Sequence, residues 1–123
     1  MRIIPSLCFC VFLMIGNRAY SQTCPRLPAC AQAEQKATPV VNKYKAIIDQ
    51  NNGIQNVENA SYCINMAGAE MLRTCATELR NTGHGDCANM FEQQMNSFLQ
   101  TARNSAQGAQ NVSTGTWKPS CGL

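Results

Sequence analysis

His84 is the only histidine of the chain. Imidazole is the one side chain whose ordinary pKa suits proton transfer near neutrality, so His84 is where a search for catalysis starts. Its surroundings argue against that use. It stands between Gly83 and Gly85, two residues before Asp86. A Gly-His-Gly turn offers no burial that would tune a pKa, and His84 reads as a solvated turn residue. No set of nucleophile, base and orienting group can be assembled around it. The chain is therefore expected not to be an enzyme, with no catalytic residue, no cofactor and no metal ligand assigned.

Cysteine is the second source of chemistry. Cys8 and Cys10 fall in an apolar N-terminal run, which leaves Cys24, Cys30, Cys63, Cys75, Cys87 and Cys121. Six cysteines in a short secreted chain read as three disulfides. Structural zinc would need paired C-x-x-C ligands or more histidine, and neither is present.

Two N-glycosylation sequons occur, Asn59-Ala60-Ser61 and Asn111-Val112-Ser113, neither with proline in the middle. At least one is expected to carry glycan, given a secretory leader. Met66, Met71, Met90 and Met95 invite comparison with a flexible apolar groove, but their helical spacing favours ordinary core packing. The many Asn and Gln residues keep a surface soluble without creating a field, and the sequence suggests no sharper role for them.

Three segments with helical period must position these residues. In the first, Cys30, Ala33, Ala37, Val40, Val41, Tyr44, Ile47 and Ile48 share a face. Thr38-Pro39 interrupts it as a cap followed by proline would, so this is either a short helix followed by a longer one or one helix kinked at Pro39. Asn51-Asn52-Gly53 ends it, with Gly53 suited to a left-handed cap. The second spans about Asn56 to Arg80, with a stripe of Val57, Ala60, Ile64, Ala67, Met71, Cys75 and Leu79. The third starts at Asp86 as N-cap, carries Cys87, Phe91, Gln94, Met95, Phe98 and Ala102 on its stripe, and fades near Gly108. The tail from Ala109 to Leu123 is irregular, and no segment alternates as a strand does. Turns of about five residues make successive helices antiparallel. The expected fold is all-α: a small disulfide-stapled three-helix up-down-up bundle with an irregular C-terminal tail.

That bundle restricts the disulfides. Cys63 lies about 10 Å below the end that holds the first turn, at 1.5 Å per residue. The tail leaves the third helix from the same end, so Cys121 is within reach of Cys63. Cys24, Cys30, Cys75 and Cys87 lie toward the other end. A disulfide needs Cα atoms within about 7 Å. Level matching then pairs Cys24 with Cys87, Cys30 with Cys75 and Cys63 with Cys121. The last bridge would bring Trp117 against the bundle, where it would add apolar burial.

The whole chain has 123 residues, 45% of them hydrophobic and 14% charged, enough for one domain. Arg2, the apolar run Ile3 to Ile15, and Ala19-Tyr20-Ser21 have the three parts of a secretory signal peptide. The run is shorter than the roughly 20 residues a membrane-spanning helix needs. Residues 1–21 are read as the leader and 22–123 as a single cysteine-rich helical domain. Arg2 and Arg18 leave with the leader, so eight basic residues face seven acidic ones. A net charge of +1 without a basic cluster is a poor basis for binding nucleic acid or an anionic membrane.

A secreted, extracellular, non-catalytic interaction protein is the leading expectation: a venom-type or defence effector, or a component of the extracellular matrix, whose partner is another extracellular protein or receptor. The alternative is an extracellular carrier of small apolar ligands, since disulfide-stapled helices can enclose a cavity.

Overall fold

A computed structural model describes residues 24–121. The expected leader, residues 1–21, lies outside the described residues. Three helices follow one another: α1 is Pro28–Gln50, α2 is Ile54–Asn81 and α3 is Gly85–Asn111. Among the described residues there is no strand. The turns, residues 51–53 and 82–84, are shorter than the sequence suggested and set the helices antiparallel. Helix α2 is central, packing α1 on one side and, more extensively, α3 on the other.

The central position of α2 explains its composition. Its expected stripe is buried at Ala60, Ile64, Ala67, Met71, Cys75 and Leu79, but Gly68, Ala69, Leu72 and Ala76 are buried as well. These mostly small residues form a second apolar face, which lets α3 approach closely. A side chain added at Gly68 would meet the Phe98 ring at 3.4 Å. Two apolar clusters result. The lower one draws on all three helices around Cys75, Leu79 and Phe91, with Met90 and Met95 packed against it. The upper one joins α1 to α2 through Val41, Tyr44, Ile48 and Ile64, and Cys121 packs on it.

Helix α1 is one element through Pro39. Proline inside a helix costs about 3 kcal/mol. Here both halves are anchored on α2, by Cys30 and Ala37 before the proline and by Val41, Tyr44 and Ile48 after it, and Pro39 itself faces solvent. Thr38 therefore caps nothing; its hydroxyl donates to the Glu34 carbonyl one turn back, at 2.9 Å. The true start is Pro28, with Leu27 at the cap position. Leu27 has no polar side chain to cap with. The Glu78 carboxylate of α2 does so instead, accepting the backbone N–H groups of Ala29 and Cys30 at 3.2 and 3.0 Å. An ion pair from Arg26 to Glu34, at 2.7 Å, crosses the same turn.

The other helix ends also differ in detail from the sequence reading. Asn51, not Gly53, takes the left-handed C-cap of α1 (φ 53°, ψ 53°) and donates its N–H to the Ile48 carbonyl at 3.0 Å. Asparagine tolerates that region because its short polar side chain costs little there. Gly53 precedes α2 with φ 103°, a conformation side chains avoid. His84, rather than Asp86, is the cap residue of α3, and Asp86 lies in the first turn, where its charge complements the helix dipole. Helix α3 runs past Gly108 to Asn111.

Candidate functional site

Three disulfides tie the described residues together. Cys24 is joined to Cys87, Cys30 to Cys75 and Cys63 to Cys121, with Cα separations of 5.7, 4.4 and 5.6 Å. These are the pairs that level matching selects. The first two tie the start of α1 to the lower end of the bundle, and the third ties the tail to α2. Within the tail, Cys121 packs on the upper apolar cluster. Trp117 is half-buried, and its backbone N–H donates to Gln110 Oε1 at 3.0 Å.

His84 sits half-buried in the α2–α3 turn, its Nδ1 3.1 Å from the Thr82 hydroxyl. Among the described residues, no group of three His, Cys, Asp or Glu side chains is placed to hold a metal ion.

The sequons land in different settings. Asn59 is half-buried on α2. Its Nδ2 donates to the Ser120 carbonyl at 3.0 Å, and its Oδ1 accepts the Ser120 N–H at 3.0 Å. Asn111 is the exposed last residue of α3 and accepts a hydrogen bond from Gln107 at 2.8 Å. The amides the sequence left unexplained thus have a use. Asn59 and Gln110 hold a tail that has no regular structure by bonding its backbone groups, as Gln110 Nε2 also reaches the Gly115 carbonyl at 3.0 Å. Gln55 does the same between helices, donating to the Ala109 carbonyl at 3.3 Å.

A furrow of about 440 Å³ lies between α1 and α2, with no α3 residue in its lining. Its cause is local. Ala29, Ala33 and Ala37 recur every four residues on α1 and face Ala67 and Met71 of α2. Alanines at successive turns leave the space that larger side chains would fill. Ala37, Ala67 and Met71 make an apolar floor. Gln32 and Lys36 of α1 and Glu70 and Thr74 of α2 make a polar rim. Glu70 is paired with Arg73 at 3.0 Å. The furrow is open along its length, and its shape and lining suit an inserted apolar side chain or chain segment better than an enclosed ligand. Of the four methionines, only Met71 lines it. Sequence reasoning placed Ala33 and Ala37 in the core and missed the furrow; the signal was the run of alanines where a packed helix would carry leucine.

No family model matches this chain, and neither does any curated protein or solved structure. Among the described residues, no helix is long and apolar enough to cross a membrane.

Proposed function

We propose that this chain is a secreted, non-catalytic interaction protein that uses the α1–α2 furrow to receive an apolar element of an extracellular protein or receptor. The observation that carries this reading is the furrow itself, an apolar floor with a rim of opposite charges at Lys36 and Glu70, built on a disulfide-stapled frame. Apolar floor and polar rim are the arrangement of a protein-binding patch. Three disulfides suit an oxidising compartment, and the leader features of residues 1–21 supply the route. Effector and matrix roles both fit such a scaffold.

A carrier of small apolar compounds is the second reading. It is favoured by the furrow's volume, which is within the several-hundred-Å³ range of ligand sites, and by Met71 in its floor. Organic extraction of natively purified protein, with mass spectrometry of the extract, separates the two. A stoichiometric apolar compound promotes the carrier; its absence leaves the interaction protein. The furrow's role is tested with labelled protein applied to the source tissue. Ala33→Arg should lose binding, and Gln93→Arg, on the exposed face of α3, should keep it. Equal binding by both variants removes the furrow from consideration. Native protein that retains Met1 removes secretion.

A further inference from the structure

We propose that in the folded, secreted protein the N-glycan is carried by Asn111, and that Asn59 stays unmodified because its carboxamide is the clasp that holds the tail. This rests on the secretory reading above.

The clasp is a two-bond pair. Asn59 Nδ2 donates to the Ser120 carbonyl and Asn59 Oδ1 accepts the Ser120 N–H, each at 3.0 Å. Bonding to one residue through both ends of the amide uses the Nδ2 hydrogen that lies on the same side as Oδ1. The other side of Nδ2 faces Cys63 Sγ at 3.9 Å. Ser120 is kept in place by the adjacent Cys121–Cys63 disulfide. An N-glycan forms by replacing one Nδ2 hydrogen with the sugar's anomeric carbon. The resulting secondary amide is trans, like a peptide bond, which puts the sugar carbon on the Oδ1 side. That is where the Ser120 carbonyl lies. A glycan on Asn59 and the clasp therefore exclude each other, and a glycan added there before folding would keep Ser120 and Cys121 from their places. Ser61, which completes the sequon, is also engaged, its hydroxyl 2.9 Å from that of buried Ser105.

Asn111 meets none of these obstacles. It is exposed at the end of α3, and its one described bond uses Oδ1, toward Gln107. Among the described residues nothing takes a hydrogen from its Nδ2. Val112 beside it is 48% exposed, and Ser113 lies in the turn that opens into the tail. A sugar on this nitrogen leaves every described bond intact.

The test is to express the full chain in a eukaryotic secretory host as wild type, Ser113→Ala and Ser61→Ala. Each change destroys one sequon while keeping its asparagine. A parallel set with residues 1–21 replaced by an established signal peptide keeps sequon choice measurable if the chain's own leader fails, a failure that would count against the secretory reading alone. Intact mass is read before and after an N-glycan-removing amidase. Wild type and Ser61→Ala should each lose the mass of one glycan, and Ser113→Ala should lose none. A mass loss in Ser113→Ala, two glycans on secreted wild type, or none at all would overturn the proposal.

Discussion

The carboxylate of Glu78, near the end of α2, accepts the backbone N–H of Cys30 in the first turn of α1 at 3.0 Å. Three residues earlier on α2, Cys75 is bonded covalently to the same Cys30. A hydrogen-bonded cap and a disulfide thus fix one helix start from one partner helix. Removing a charged acceptor that serves two backbone donors costs about 1–3 kcal/mol. Glu78→Ala should lower the urea midpoint of the oxidised protein accordingly, with Glu78→Gln losing less. Hydrogen exchange at the Ala29 and Cys30 amides should quicken in Glu78→Ala.

Pro39 occupies a solvent-facing position in the middle of α1. It supplies no N–H to the helix, and the alternative residue there would. Pro39→Ala is expected to raise stability by about 1–3 kcal/mol, somewhat below the full propensity difference because proline also restrains the unfolded chain. Thermal unfolding reads the gain. A lower midpoint would mean that a bend at Pro39 is needed to seat both halves of α1 on α2.

Glu58 lies against Gly108 of α3, where any side chain would displace its carboxylate. Burial raises its pKa above the ordinary value of 4.5. A folded-state pKa above the unfolded one contributes stability that is full below about pH 4.5 and is lost as pH rises through the folded value. Glu58→Gln should therefore unfold at a higher temperature than wild type at pH 7, while the two differ less at pH 3. Gly108→Ala, by pushing the flexible carboxylate into solvent, should bring the Glu58 pKa back down. Melting curves at the two pH values and carboxyl titration by NMR check both.

Gln110 bonds the Trp117 N–H and the Gly115 carbonyl, at 3.0 Å each. Gln110→Ala should loosen the segment between α3 and the Cys121 bridge without unseating the helices. Faster exchange at the Trp117 amide and a red-shifted indole emission are expected, with far-ultraviolet circular dichroism unchanged.

Much of this architecture was legible in the chain. Helical period, two Gly-containing breaks and the levels of six cysteines point to three antiparallel helices and their staples. What escaped was whatever depends on a distant partner. Leu27 looks like a poor cap until Glu78 arrives from another helix, and Pro39 looks like a break until α2 supports both sides of it. Asn51 took the C-cap of α1 and His84 the N-cap of α3, positions that Gly53 and Asp86 suit by propensity. The second face of α2 was hidden for a similar reason. Gly68, Ala69 and Ala76 carry almost no hydrophobic signal, yet their smallness admits α3. The furrow escaped because a row of alanines reads as core whether or not a neighbour fills the space above it.

The bridges also overlap along the chain. Cys63 comes before Cys87, so the ring closed by Cys24–Cys87 and the ring closed by Cys63–Cys121 share residues, and the Cys30–Cys75 ring nests within the first. Every peptide bond between Cys24 and Cys121 is therefore inside at least one closed ring. A protease that cuts once anywhere in that span opens a ring but separates nothing. No stretch shorter than the whole contains only cysteines paired with one another, so two cuts release a fragment only when both fall between the same neighbouring cysteines. Such a molecule passes through its first cleavage as a single covalent body with its helices still held against one another.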